Sequence, residues 1–150
     1  MQNVFYSKSE QETADIAEQM AKITKSGDVW ALHGTLGAGK SVFARAFIQS
    51  LTGAKEVPSP TFTLVQMYVA SEFDVYHYDL YRLKKSDEIF ELGVEEAFYS
   101  GVSLVEWPEK MGEFAPRNMW HVKIEINDDR RVIHIHSDDA AKIERLKNAG

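Results

Sequence analysis

The sequence predicts an α/β fold, in which helices cover both faces of a mixed central sheet to give three layers. Apolar positions with the period of a helix alternate along the chain with short β-rich runs, which is the pattern of helices interleaved with strands. The last two β-rich runs are separated only by the polar residues 127–130. They are therefore expected to form a C-terminal antiparallel hairpin.

Length and composition fit a single domain spanning residues 1–150. A chain of 150 residues has the usual size of one compact domain. With 44% hydrophobic and 11% aromatic residues, it can fill a core. This composition excludes a disordered or fibrous chain.

Charge and cysteine content exclude several classes of function. The 17 basic and 23 acidic side chains give a net charge of −6, which argues against a freestanding nucleic-acid binder. Cysteine is absent, so disulfides, thiolate metal sites and cysteine nucleophiles are excluded. The sequence has neither a signal-peptide pattern nor an apolar run long enough to span a membrane, and a cytoplasmic protein is expected.

In the first part of the chain, the sequence predicts a helix, a strand, a turn and a second helix. A capping box of Ser9 and Glu12 begins a helix that ends near Gly27. The apolar run 28–33 is typical of a buried strand. Residues 40–51 carry apolar side chains at helical spacing.

The remainder of the chain is richer in strands. β-branched and aromatic residues dominate its runs, and the first two runs are expected to form a hairpin across residues 71–73. Ser86 is the expected cap of a short helix. The predicted strands cover 61–69, 74–81, 101–106, 120–126 and 131–136, and the predicted helices cover 86–92, 94–99 and 138–148.

A glycine-rich turn joins the strand 28–33 to the helix that begins at Lys40. Residues 34–41, GTLGAGKS, match G-x-x-x-x-G-K-[ST] in every fixed position. Glycines let the backbone N–H groups converge on phosphate oxygens in front of a helix start. Lys40 adds a positive charge for the β- and γ-phosphates, and the Ser41 hydroxyl suits Mg²⁺.

The strand before the motif and the helix after it indicate a P-loop NTPase-like domain that binds a nucleoside triphosphate. The alternative is a glycine-rich turn without a ligand. The residues expected to contact the nucleotide in this segment are Gly34, Thr35, Leu36, Gly37, Ala38, Gly39, Lys40, Ser41 and Val42.

A P-loop site also needs an acid at the end of a neighbouring strand, to hold Mg²⁺ or its water. Asp79 and Glu106 each end a predicted strand. The strand before Glu106 is the more apolar of the two, which favours Glu106 on pattern alone. Either acid could instead be a solvated carboxylate, and the residues leave the choice open.

Other polar and aromatic residues are weaker candidates. His77 could act as a ligand or base, but a histidine in a strand more often only contributes to one face. His33 is expected to pack beside the loop. His134 and His136 share a face with no third metal ligand nearby in sequence, and Trp107 could stack near the site or fill the core.

Four segments together carry a resemblance to a known family. In order along the chain they are 36–41 (LGAGKS), 59–64 (SPTFTL), 77–82 (HYDLYR) and 105–109 (VEWPE). The first is shared by many nucleotide-binding proteins, whereas the other three in combination are far more specific. With them the chain resembles, from about Ser9 to Trp107, the TsaE (YjeE) family. These are small bacterial P-loop ATPases needed for the threonylcarbamoyladenosine modification of tRNA.

The resemblance implies a role for each segment. The P-loop would hold the phosphates of ATP, with Lys40 as a catalytic residue and Ser41 on Mg²⁺. Residues 59–61 would form a switch-like loop that senses the γ-phosphate, with Thr61 in contact with the nucleotide.

The resemblance also assigns both acids. Asp79 would be the Walker-B-like acid and Glu106 a second acid at the metal, and both would be catalytic. Family members often have Asp where this chain has Thr35, so the loop here carries one negative charge fewer.

A weak ATPase that acts on a partner enzyme is the expected function. The chain shows no obvious lid or arginine finger, so hydrolysis should be slow without a partner. The resemblance implies that the partners are TsaB and TsaD, which together transfer the threonylcarbamoyl group to tRNA. ATP hydrolysis would reset that complex, and tRNA would be contacted only indirectly.

Three rival functions make different demands on the sequence. A small-molecule P-loop kinase needs a lid with arginines and an acceptor pocket, and neither is evident. A GTP switch needs an Asn-Lys-x-Asp motif after the loop, and none is present. A nucleotide-sensing scaffold without hydrolysis is the third alternative.

Overall fold

The computed structural model describes residues 2–34 and 39–149. Its strands are β1 (Gln2–Ser7), β2 (Val29–Gly34), β3 (Val65–Tyr68), β4 (Val75–Asp79), β5 (Val102–Glu106), β6 (Trp120–Asn127) and β7 (Arg130–Ser137). Its α-helices are α1 (Glu10–Lys22), α2 (Lys40–Thr52), α3 (Val94–Ser100) and α4 (Ala140–Ala149), and its 3-10 helices cover Ser86–Leu92 and Pro108–Phe114.

β2 lies in the middle of a mixed sheet with the strand order β1-β7-β6-β2-β5-β4-β3. It pairs in parallel with β5 and β6, and β4 extends the parallel part beyond β5. β3 and the pair β7–β1 add antiparallel strands at the two sides. The carboxyl ends of β2, β4 and β5 therefore meet at one edge, where open α/β sheets bind ligands.

Different elements bury the two faces of the sheet. Successive side chains of a strand point to opposite faces. Trp30 and Leu32 pack with the apolar sides of α1 and α2. Val29 and Ala31 pack with α3 and the 3-10 helices. The predicted α/β fold with a mixed sheet is confirmed. Within residues 2–34 and 39–149, no helix has the length and apolarity to cross a membrane.

The predicted start of α1 and the C-terminal hairpin are both present. Ser9 is the N-cap, and its Oγ accepts the Glu12 N–H at 3.1 Å. Glu12 in turn accepts the N–H of Lys8 at 3.1 Å. β6 and β7 pair antiparallel, and Asp128 turns the chain between them with φ 58°.

Two elements were not predicted. β1 pairs antiparallel with β7 along the edge of the sheet. Its side chains Val4 and Tyr6 are 43% and 55% exposed, so neither face of this short strand shows a clear apolar pattern. The 3-10 helix Pro108–Phe114 was also missed, because it contains a non-helical residue, Gly112, that breaks any helical period.

The predicted strand 61–69 is wrong at its start. β3 begins only at Val65, because the N–H of Leu64 bonds the carbonyl of Pro60 at 2.7 Å and closes a turn. Leu64 itself has a φ of 69°, which no strand accommodates. The expected cap Ser86 is also wrong. Lys85 occupies the N-cap position and the segment is a 3-10 helix.

Candidate functional site

Strand register brings the two candidate acids together. Asp79, at the end of β4, is directly opposite Glu106, at the end of β5. Glu106 is in turn opposite Leu32 of β2. Paired residues of parallel strands project from the same face. Both acids therefore lie on the face covered by α1 and α2, at the edge where β2 leads into the glycine-rich loop.

The described parts of that loop require glycine. A side chain on Gly34 would place its Cβ 2.8 Å from the carbonyl oxygen of Ile124. Gly39 has a φ of 101° and is the N-cap of α2 without a side-chain hydrogen bond. Lys40 and Ser41 begin α2 immediately after it. The candidates Thr35, Leu36, Gly37 and Ala38 lie outside the described residues.

Lys40 reaches back over the same edge of the sheet. Its Nζ lies 4.9 Å from the centroid of the Trp107 ring, a cation–π contact. Trp107 directly follows Glu106, with a φ of 58°, and the Tyr81 ring lies 4.9 Å from it. Trp107 therefore lies beside the candidate site, and it also packs against the apolar cluster that includes Met111, so both alternatives that the sequence left open apply.

Asp79 is tied to the Ser-Pro-Thr loop. It is 7% exposed. The Thr61 hydroxyl donates to Oδ2 and the Tyr81 N–H donates to Oδ1, both at 3.1 Å. Ser59 Oγ lies 2.8 Å from Thr61 Oγ1. Thr61 is thus placed at the acid, as a link between this loop and β4.

Glu106 is held by a different group. Its Oε2 lies 2.7 Å from Nε2 of His77. The side chains of Glu106 and His77 are 14% and 3% exposed. His77 was predicted mainly as one face of a strand. Its spacing of two residues before Asp79 was the signal that it shares the face of the acids.

His33 lies on the opposite face, just before the loop. Its Nε2 is 3.1 Å from Nδ1 of His121. Burial, followed by the charge of His121, lowers the pKa of His33. Burial, followed by the charge of His136, lowers the pKa of His121. The lowered pKa values favour the neutral form of both imidazoles.

The paired histidines of β7 do not converge on a metal-like arrangement. His134 Nε2 is 3.5 Å from Glu125, and His136 Nε2 is 2.9 Å from Asp138. Across the described ranges, no group of three or more His, Cys, Asp or Glu side chains is arranged to hold a metal ion.

A cavity of about 400 Å³ opens beside the first turn of α2. One side is formed by Gly39, Ser41 and Val42. The other sides come from the β1–α1 connection with Lys8, from Thr13 in α1, and from Arg131 at the start of β7. Sequence reasoning missed this part of the site because it did not predict β1, which brings the connection next to the loop.

Comparisons with known proteins agree on one family. The model of the family described as "Threonylcarbamoyl adenosine biosynthesis protein TsaE" matches residues 7–133. A curated protein of Rickettsia conorii named tRNA threonylcarbamoyladenosine biosynthesis protein TsaE is 43% identical over 124 residues, which cover 82% of this chain and 71% of that protein. A protein of the same name from Bacillus subtilis is 40% identical over 125 residues, covering 82% and 78%.

A solved structure shows the same architecture. A crystal structure of YdiB from Bacillus subtilis superposes with a TM-score of 0.81 at 30% sequence identity. The match covers 99% of this chain and 94% of that one, so it includes β1 and the C-terminal helix.

Proposed function

The chain belongs to the TsaE family. From that membership and from the site we propose that it binds ATP with Mg²⁺, hydrolyses it slowly, and serves the threonylcarbamoyladenosine modification of tRNA as a nucleotide-dependent switch. One observation carries the ATP proposal. Lys40 and Ser41, at the start of α2, lie at the same sheet edge as the paired acids Asp79 and Glu106.

The described side chains fit a triphosphate better than a free metal ion. Mg²⁺ is usually bound by one or two carboxylates together with substrate phosphates. Asp79, Glu106 and the Ser41 hydroxyl supply that partial set of oxygen ligands, and phosphate oxygens would complete it. Bound Mg²⁺ would neutralise charge on the β- and γ-phosphates.

Lys40 has a suitable position for the phosphates. Its ammonium group rests against Trp107 and has no ion pair within the described residues, so a phosphate does not have to displace a carboxylate. The cavity of about 400 Å³ beside Gly39 and Ser41 lies in the range of about 300–1,000 Å³ that is usual for small-molecule sites. We assign it to the nucleoside.

The attachment of the Ser-Pro-Thr loop supports the proposed switch role. The Thr61 hydroxyl hydrogen-bonds Asp79. A metal ion on Asp79, or a γ-phosphate that attracts Thr61, would compete for the same atoms. Occupation of the site would therefore weaken or break the hydrogen bond that fastens residues 59–64 to β4. Phe62, whose side chain is 80% exposed, would move with this loop.

The partner assignment rests on the family and on charge. Arg82, which follows the Asp-Leu-Tyr segment, stacks on the Phe62 ring, whose centroid lies 4.5 Å from its guanidinium carbon. Because Arg82 is engaged there, an arginine from another protein would supply the charge that speeds phosphoryl transfer. We propose the TsaB–TsaD complex as that partner. The net charge of −6 favours contact with tRNA only through it.

The decisive experiment measures ATP hydrolysis by the purified chain, alone and with TsaB and TsaD, while modified tRNA is counted per partner complex. The switch proposal expects slow hydrolysis alone, faster hydrolysis with partners, and many modification cycles in place of about one. If the partners change nothing and a small-molecule acceptor accelerates ATP consumption, the chain is a kinase instead.

A further inference from the structure

His77 is a buried polar residue on the face of the sheet that α1 and α2 cover. On the same face it has two apolar neighbours, Val75 on β4 and Leu104 directly opposite on β5. It also has two polar neighbours, Asp79 on β4 and Gln66 directly opposite on β3. Its side chain is 3% exposed. Burial of an imidazole is unfavourable unless its polar atoms form hydrogen bonds.

The described contacts show what the imidazole is used for. An ionised carboxylate only accepts hydrogen bonds, so the 2.7 Å contact with Glu106 requires the proton on Nε2 of His77. The other nitrogen, Nδ1, is buried and meets no hydrogen-bond partner in the described part of the chain. The bond to Glu106 is thus the directional contact that orients this ring.

The two acids are therefore held in different ways. Asp79 is held by the hydroxyl of Thr61, on a loop outside the sheet, and by the N–H of Tyr81. Glu106 is held by His77, from inside a buried strand. A change in the loop would alter the surroundings of Asp79 but would leave those of Glu106 in place.

We propose that His77 is the positioning residue of the ATPase site, and this inference rests on the proposed function. Its Nε2–H fixes Oε2 of Glu106 and thereby aims Oε1 at the edge of the sheet. There Oε1 can hold Mg²⁺ or the attacking water. A glutamate side chain has three rotatable bonds, and a ligand oxygen must be held within about 0.5 Å of its working position.

Two substitutions of His77 separate positioning from packing. His77→Gln keeps an N–H donor the same number of bonds from the backbone, whereas His77→Leu keeps the apolar fit and removes the donor. Loss of such an outer partner typically costs about 10–100-fold. We expect His77→Leu to lower kcat by that factor at an unchanged dissociation constant for ATP. We expect His77→Gln to restore most of the rate.

Glu106→Gln gives the reference for these rates. If His77 acts through Glu106, the double variant His77→Leu/Glu106→Gln should be no slower than Glu106→Gln alone. Additive losses would overturn the inference, as would a normal kcat in His77→Leu while Glu106→Gln is slow. If Glu106→Gln itself hydrolyses ATP normally, the proposed site is wrong and the inference falls with it.

A measurement on the nucleotide-free protein needs no activity and no His77 variant. Nitrogen chemical shifts of the His77 ring should show the Nε2–H tautomer, with a proton signal shifted by a strong hydrogen bond. Glu106→Gln should move that signal, because a neutral amide oxygen is a weaker acceptor. An Nδ1–H tautomer, or a signal that ignores Glu106→Gln, would contradict the inference.

Discussion

Acids at the two ends of the parallel strands have opposite surroundings. At their amino end, Asp28 is 4% exposed and both its oxygens are engaged. Arg145 binds them at 2.9 and 3.1 Å, and the Trp120 indole donates at 3.3 Å. At the carboxyl end of the parallel strands, Glu106 and Asp79 have no ion pair with lysine or arginine among the described residues.

The difference separates an acid that stabilises the fold from acids that can take a ligand. The guanidinium of Arg145, on α4, neutralises the charge of Asp28. Together with the Trp120 indole it occupies both carboxylate oxygens. Glu106 accepts a hydrogen bond from His77 and Asp79 accepts one from Thr61. Lys40 lies against Trp107 rather than on a carboxylate. The remaining lone pairs of Glu106 and Asp79 can bind a cation.

The largest expected effect is a loss of ATP hydrolysis with little loss of stability. Glu106→Gln should lower the rate of ATP hydrolysis by about 10²–10⁴-fold, the usual contribution of a positioned acid or base. The amide still accepts the His77 N–H, so the free energy of unfolding should change by less than about 1 kcal/mol. Single-turnover hydrolysis and urea unfolding of the same preparation test both halves of this prediction. A large loss of stability would mean that Glu106 resembles Asp28.

The opposite result is expected at the amino end. Asp28→Ala leaves a largely buried guanidinium and an indole N–H without their partner, and should lower the free energy of unfolding by about 3 kcal/mol. Urea unfolding measures the change. Lys22→Ala is the control, because its ion pair with Glu18 is exposed, and it should cost less than about 1 kcal/mol. Equal losses in the two variants would refute the distinction.

Lys40→Ala should weaken ATP binding by about 10–100-fold, because a charged hydrogen bond contributes about 1.5–3 kcal/mol. Its stability should stay close to that of the unaltered protein, since Lys40 makes no ion pair among the described residues. Titration calorimetry with ATP measures the affinity. Lys55→Ala, a change of the same charge beyond the end of α2, is the control. Unaltered affinity in Lys40→Ala would remove the basis of the P-loop assignment.

The smallest expected effect is a pH dependence from His33 and His121. Burial lowers the pKa of both side chains, so the unfolded chain binds these protons more readily. The free energy of unfolding should therefore fall as pH decreases through about 6.5, the unfolded value. His33→Gln should make the fall shallower in urea unfolding at several pH values. A slope that His33→Gln leaves unchanged would assign the effect to other groups.

Features encoded in contiguous residues were predicted, and features that depend on register were not. The spacing of residues 34–41 and the alternation of β6 and β7 are local, so the sequence alone indicates them. The contact of His77 with Glu106 joins positions 29 residues apart and depends on how β4 aligns with β5. The same limit applies to Asp79, because no local pattern specifies that it lies directly opposite Glu106.

The cavity was missed for a related reason. It depends on β1, an edge strand whose exposed Val4 and Tyr6 give no inward-facing pattern. Edge strands are stabilised by partners far along the chain, here β7, rather than by their own residues. Finding the cavity that we propose for the nucleoside therefore required the tertiary fold, whereas the proposed phosphate loop could be predicted from eight residues.

The three tryptophans occupy very different surroundings, with an optical consequence. Trp30 and Trp120 are fully buried in the core, with their ring centroids stacked 4.5 Å apart. Trp107 is partly exposed and has the Lys40 ammonium over its ring. If a bound phosphate draws the Lys40 ammonium away, the electric field at the Trp107 indole changes, whereas the surroundings of Trp30 and Trp120 stay constant. The protein then carries its own fluorescent reporter of nucleotide occupancy, with no label required.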